Sequence, residues 1–311
     1  MTLSIIIPAY NRERFIEGCI RSLVAGGVTD TEILVVDDGS TDNTAAIVGG
    51  LCEEIPGIRL IRQENQGPGA ARNTGAKAAS GEWIWFIDSD DTVIPGGLPY
   101  VHDAIRAYPD VDALVISETW TFDDPSRNYL DIPLPPKKAD LSGKEALRNR
   151  VFPYWCPHRF IFRRHLLNNP WLYFPEHINH EDEYFGLVLV YLAKRLHILD
   201  KSIYHYIQHE GSIMSSVNIN NVRDYYGIFL AKAAFVDSDA VEKKDRPWLN
   251  GLISRWIVGN LRTFRGMEGY ADVIHPLLPP LREEYNRRCH ALPLYRRIRD
   301  KLRFFRARFR K

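Results

Sequence analysis

The chain has no apolar run of 18 residues or more, so no membrane-spanning helix is expected. Its longest apolar stretch, Phe185 to Ala193, falls far short. Cysteine is scarce. Cys19, Cys52, Cys156 and Cys289 are widely scattered and form no CxxC pair, which argues against both a disulfide frame and a zinc site. A reduced compartment is the simplest expectation. No basic stretch and no cleavage site precede the first apolar run at Leu3–Ile7, so a secretory leader is not expected and the expected location is cytoplasmic. That run leads into Pro8-Ala9-Tyr10-Asn11-Arg12, not GxGxxG, which argues against a dehydrogenase. No GxxxxGK[ST] occurs, so a P-loop NTPase is excluded as well.

Net charge is nearly absent too, with 40 Lys+Arg against 39 Asp+Glu in 311 residues. The balance hides an asymmetry. Nine basic residues crowd Arg296 to Lys311 against one acid, Asp300, leaving the rest net acidic. At 45% hydrophobic residues the chain has enough for a sizeable core, as one large domain or two small ones.

The first half alternates between strand and helix patterns. Strands are expected at Leu3–Pro8, Glu32–Val36, Ile58–Ile61, Glu82–Ile87 and Ala113–Ile116. Helices are expected over Arg12–Val24, after Thr41 or Asp42 as cap, over the Ala- and Gly-rich Gly67–Ala79, and after Pro95. This order implies an α/β fold: a mostly parallel sheet with helices on both faces. Ligands bind such sheets beyond the carboxyl ends of the strands. Tyr10 and Asn11, Asp37 and Asp38, and Asp88, Asp90 and Asp91 all fall there. Any one Asp after a strand is by default a turn former or cap. Acidic strand ends converging on one rim repel each other, and a divalent cation would relieve them. Carboxylate oxygen is the hard ligand that Mg²⁺ and Mn²⁺ prefer.

Four motifs in order carry a resemblance: Ser4-Ile-Ile-Ile-Pro-Ala-Tyr-Asn11, Ile33-Leu-Val-Val-Asp-Asp-Gly-Ser-Thr-Asp42, Gly69-Ala-Ala-Arg-Asn73 with Gly75, and Gly81-Glu-Trp-Ile-Trp-Phe-Ile-Asp-Ser-Asp-Asp91. Over residues 1–120 the sequence resembles glycosyltransferase family 2. The resemblance implies the GT-A fold and an inverting, metal-dependent transferase using a nucleotide-diphosphate sugar. By it, Tyr10 with the Pro8 and Ala9 backbone flanks the base, and Asp38 accepts from the base N–H. Asp37 does the same or braces the turn. Arg72 lies near the nucleotide, where a helix-surface ion pair is the alternative. Asp88, Ser89 and Asp90 form a DxD motif, with Asp90 as metal ligand and Asp88 near the ribose or metal; Mn²⁺ or Mg²⁺ is the implied cofactor. In His180-Glu181-Asp182-Glu183 the resemblance makes Asp182 the catalytic base and Glu181 an orienting carboxylate; three acids opposing a helix dipole are the plainer reading.

The second half is less legible. Pro125 to Lys138 reads as a loop or edge hairpin. Trp155 is an acceptor-sugar floor or a core aromatic, and His158 a site residue or a surface one. His205 and His209 alternate with apolar residues on a strand and receive no metal assignment. Gly211 and Ser212 suggest a closing loop. Trp248 to Phe264 has helical periodicity, and Leu281 to Lys311 is helical in composition, broken at Pro293. The expected division is 1–217 for the transferase domain, with 1–120 the nucleotide-sugar half and 121–217 the acceptor side, and 218–311 for a helical C-terminal region.

The expected partners are a UDP-sugar donor, a glycan or lipid-linked acceptor and an anionic membrane surface, but no nucleic acid. The membrane expectation rests on residues 294–311. On a helix, Leu294, Ile298, Leu302, Phe305 and Phe309 make one apolar stripe amid arginine and lysine, as in an interfacial helix on the inner face of the membrane. A helix packed on the protein's own body and a nucleic-acid tail are the alternatives. Two rivals stand beside the enzyme reading. A nucleotidyltransferase would need a Gly-rich basic loop after the first strand, which is missing. An inactive nucleotide-sugar-binding module or scaffold would not need Asp182.

Overall fold

The structure, a computed structural model, describes all residues except 26, 28, 123–138, 152–155, 209–218, 220, 265–266, 268–269 and 290–311, and only the backbone of 271 and 289. Two compact units emerge. The first is Met1–His177 with Glu181–Ser215, and the second is Ile178–His180 with the chain from Ser216 onward.

The first unit is built on one sheet. Its parallel half comprises β1 (Leu3–Ala9), β2 (Thr31–Asp37), β3 (Ile58–Arg62) and β4 (Trp83–Phe86) in the order β3-β2-β1-β4. Every residue of β1, β2 and β4 is buried. Both sheet faces are covered there, so these strands show continuous apolar runs instead of alternation. The crossovers are α1 (Ile16–Val24), α2 (Thr44–Glu54) and α3 (Pro68–Ala78). Gly75 lets α3 lie against β1, since a Cβ there would collide with Ile6 Cγ2. The cap position of α2 is Asn43, not Thr41 or Asp42, and its side chain makes no capping bond; the Asp42 carboxylate just before it accepts from Thr44 N at 2.9 Å instead.

The other half of the sheet departs from simple alternation. After the short β5 (Thr92–Val93) and α4 (Gly97–Ala107) comes β6 (Ala113–Phe122), longer than its apolar core suggested. β6 does not pair with β4. A later strand, β8 (Phe160–Arg163), is inserted between them and runs antiparallel to both. β9 (Leu196–Gln208) lies parallel to β6 on the far side. β5 and the short β7 (Asp140–Leu141) pair antiparallel with β9. α5 (Gly143–Asn149) precedes β8, and α6 (Glu181–Leu192) leads into β9. Thus β1, β2, β3, β4, β6 and β9 run one way and end at one edge. β8 begins at that edge.

The second unit contains α7 (Asn221–Asp237), α8 (Arg246–Thr263) and α9 (Tyr270–Cys289), each packed on the other two. Phe229, Phe235, Leu249, Ile253, Ile257 and Tyr285 form its apolar interior. Arg288 ties α9 back to α7 through Asp237 at 2.6 Å. α9 starts earlier than composition suggested and carries Pro276, Pro279 and Pro280 inside it. Three interior prolines hide a helix from sequence reading, because each removes a backbone donor. Among the described residues, no helix is long and apolar enough to cross a membrane.

Candidate active site

The polar residues expected at the strand ends do assemble along the carboxyl edge. Tyr10, directly after Pro8 and Ala9 of β1, is one of the few large hydrophobic side chains exposed among the described residues. Asp37 and Asp38 end β2, both buried. Asp37 braces the turn: it accepts from Ser40 N at 3.1 Å and pairs with Arg62 at 3.1 Å. Asp38 accepts from Gln63 Nε2 at 2.7 Å, Gln66 N at 3.0 Å and Gly67 N at 2.8 Å. It therefore fixes the loop entering α3. Asn11 adopts a positive φ of 52° and laces the β1 and β2 loops together, accepting from Thr41 N at 2.9 Å.

Beyond β4 lies Asp88-Ser89-Asp90-Asp91. Arg72, 7% exposed on α3, donates to Asp88 Oδ1 at 2.7 Å and to Glu181 Oε1 at 2.5 Å. One guanidinium thus joins the DxD segment to the first turn of α6, with Arg72 and Glu181 109 residues apart in sequence. Burial disfavours that charge, but Asp88 and Glu181 more than reverse the effect and raise the Arg72 pKa. Arg72 also sits over the Phe174 ring, which stacks on Phe185 of α6. Asn73 clamps the same segment, donating to Phe174 O and accepting from Phe174 N, each at 2.9 Å.

Asp182 is the half-buried second residue of α6. Burial pushes its carboxyl up to about 8; Glu181 and Glu183 add to the shift and Arg72 opposes it. Asp90 lies 3.4 Å from Arg12 Nε. Asp91 points inward, 1% exposed, and accepts from the Tyr204 hydroxyl at 2.5 Å and Ile207 N at 2.8 Å. Burial first, then Asp88 and Asp90, raises its pKa.

The sequence reading offered His158 as a site residue but missed the rest of the wall behind these acids. Glu118 of β6 and Arg159 at the head of β8 are fully buried, and His158 nearly so. Glu118 Oε2 pairs with His158 Nε2, and Glu118 Oε1 lies 3.1 Å from Arg159 Nε. On its other side, His158 Nδ1 lies 3.5 Å from Asp88 Oδ2. The imidazole stacks flat on Tyr204, with 4.0 Å between centroids. Burial would discharge His158, but Glu118 and Asp88 overcome this and raise it to about 9. Glu118 is lowered to about 2, because His158 and Arg159 outweigh its burial. Asp88 is lowered as well, its burial offset by Arg72 and then His158. His158 is therefore a buried, charged member of the site. His205 is not: its nitrogens face the Thr92 and Thr121 hydroxyls at 3.3 and 2.5 Å. His209, Trp155, Gly211, Ser212, Pro125–Lys138 and residues 294–311 lie outside the described residues.

The donor set fits a hard divalent cation. Three carboxylates crowd one loop, and oxygens of Asp88 and Asp91 come within 4.8 Å of each other; charged His158, equally near, offers no ligand atom, so the carboxylates alone make the donor set. Arg72, Arg12 and His158 meanwhile supply the positive charge these acids require.

Known proteins share this fold. The search of solved structures finds S. aureus TarS 1-349 in complex with UDP-GlcNAc, with a TM-score of 0.71, 24% identity, and coverage of 97% of this chain and 88% of that one. That likeness establishes the GT-A fold. The family model for Glycosyl transferase family 2 matches residues 4–169. The chain is 28% identical over 236 residues to the uncharacterized glycosyltransferase YibD of Escherichia coli (strain K12), covering 73% of this chain and 68% of that protein. It is 33% identical over 217 residues to the uncharacterized glycosyltransferase EpsJ of Bacillus subtilis (strain 168), covering 68% of this chain and 62% of that protein, just under two thirds of its length. The chain belongs to glycosyl transferase family 2. As a member it is a glycosyltransferase.

Proposed function

We propose that this glycosyltransferase moves a sugar from a UDP-type nucleotide-diphosphate donor to a hydroxyl of a glycan or lipid-linked acceptor, with inversion. The single observation that carries the reading is the continuous bridge Asp88–Arg72–Glu181, with Asp182 next in the chain. It ties the DxD segment to a carboxyl with the properties of a general base. A carboxylate at its ordinary pKa is a weak base for a sugar hydroxyl, and one raised to about 8 is stronger once ionised. Asp182 takes the acceptor proton as the new bond forms. The acceptor oxygen attacks the anomeric carbon from the face opposite the diphosphate.

Tyr10 with the Pro8 and Ala9 backbone would flank the base, Asp38 would accept from its N–H, and Ser89 would line the nucleotide. Asp90 and Asp88 would hold Mn²⁺ or Mg²⁺, which supplies Lewis-acid neutralisation of the diphosphate when bound. The TarS neighbour's UDP-GlcNAc supports a uridine donor. The domain division proposed is 1–217 for transfer and 218–311 for a helical region. Residues 294–311 would hold the enzyme reversibly on the anionic inner face of the membrane, at about 1 kcal/mol per nearby basic residue.

Three experiments test this reading. In Asp182→Asn, transfer should fall by at least about 10²-fold while UDP affinity stays near wild type. Near-normal turnover would remove Asp182 from the role. Equal UDP affinity in Mn²⁺ and in EDTA would remove the metal. For the membrane part, full-length protein should sediment with anionic vesicles and a chain ending at Pro293 should not. Equal behaviour of the two sinks that idea.

A further inference from the structure

The Glu118–His158–Arg159 cluster is costly and no recognised motif requires it. Burying ions costs several kcal/mol each before pairing, and apolar residues would fill the same volume at no such cost. The backbone is also shaped around it. β6 loses regular register with β9 between Val115 and Ser117, and again between Ser117 and Glu118. Such irregularities next to a site re-aim a side chain. Here the strand turns a carboxylate inward at a position with no exposure. The turn at Pro157–Arg159 is fixed from the opposite side, because Trp85 Nε1 donates to His158 O at 2.7 Å. The imidazole has no freedom left: Tyr204 covers one face, Glu118 holds one nitrogen, and the other nitrogen faces Asp88. Tyr204 closes the frame, since its hydroxyl meets both Asp91 and the Asp88 backbone N–H.

We propose that Glu118 is a positioning residue, acting through His158 to hold Asp88 in its donor-facing geometry, with Arg159 anchoring Glu118 from behind. Carboxylates that orient a neighbouring imidazole do this in many polar sites. The inference rests on the reading that Asp88 serves the diphosphate end of the donor. Glu118 itself touches no substrate.

The test is a double-mutant cycle on the full chain, with UDP and uridine as calorimetric probes in Mn²⁺. Glu118→Gln and His158→Gln should each weaken UDP binding about ten-fold, within the range for residues supporting a ligand-holding group. The double variant should be no worse than the worse single, because both act along one path. Uridine, lacking the diphosphate, should bind all variants as it binds wild type. A merely structural role would lower both ligands together. Glu118→Asp keeps the charge on a shorter arm and should recover most of the loss; it also serves if Glu118→Gln does not fold. Normal UDP binding in a folded Glu118→Gln, or additive losses in the double variant, would overturn the inference. A loss confined to His158→Gln would make that imidazole a ligand in its own right and would also overturn it. If wild type binds no UDP, the donor reading fails and takes this inference with it. If wild type binds UDP and Glu118→Gln behaves normally, only the inference fails.

Discussion

The two halves of the first unit reach the same edge by different means. From β1 to β4, each functional loop belongs to a local strand–turn–helix step. Asp37 and Asp38 follow their strand directly, and their partners Ser40, Arg62, Gln63 and Gly67 lie within 30 residues. From β6 to β9 the wall is assembled from separated segments. Glu118 meets His158 across 40 residues, and Tyr204 meets Asp91 across 113. The first half is held by strand pairing, close apolar packing and carboxylates that accept from backbone and side chains nearby in sequence, the second by buried charges from distant segments that depend on one another. A local loop can lose one bond and keep its shape. A buried charge network cannot lose a member without leaving another charge unpaired.

Arg72 is where that contrast should break first. It pairs with both Asp88 and Glu181, so Arg72→Ala takes that partner from Glu181 and leaves Asp88 beside His158 only. The expected loss is about 3–5 kcal/mol of stability, the scale for breaking a buried pair, together with weakened UDP binding. Chemical denaturation measures the first and calorimetry the second. An Arg72→Ala protein as stable as wild type would mean that the network is not a unit.

A smaller effect is expected from pH, through Asp182. Its folded pKa of about 8 lies above the ordinary 3.8, so the fold favours the neutral carboxyl. The stability it contributes is fully present below about pH 4 and is lost as pH rises through 8. Catalysis runs the opposite way, because the base works only when ionised, and turnover should climb with pH and level off above about 8. Asp182→Asn should therefore melt higher than wild type at pH 9 and show no such gain at pH 4. A turnover profile flat from pH 6 to 9 in wild type would contradict the assignment.

The smallest effect is expected in the local half. Asp42→Ala removes the acceptor for Thr44 N and should cost about 0.5–2 kcal/mol, as cap losses do, with donor binding unchanged. Were it to match Arg72→Ala, the distinction between the halves would be lost.

The same distinction explains what could be read in advance. β1 to β4, α3 and the acidic strand ends were legible because apolar runs, Gly/Ala spacing and strand-end aspartates are short-range signals. The first turn of α6 was legible for the same reason, as three consecutive acids ahead of a helix. Glu118 carried no signal. It sits inside an apolar strand, where a lone acid reads as an edge or a surface position. For His158 the sequence left a site residue and a surface one both open, because nothing nearby in sequence says that β8 slides between β4 and β6. Arg72 was read as a site residue or a surface ion pair; the fold made it a buried bridge.

The sequence by itself determined the family, the parallel half of the sheet, and which acidic residues follow its strands at the carboxyl edge. Local patterning decides strand and helix, and strand ends decide where a parallel sheet presents its polar groups. Only the tertiary structure decided which charges neutralise which. Coulomb and desolvation energies depend on distance and burial, not on spacing along the chain. The antiparallel insertion of β8 put His158 beside Asp88, turned Glu118 into its counter-charge, and enclosed both under Tyr204.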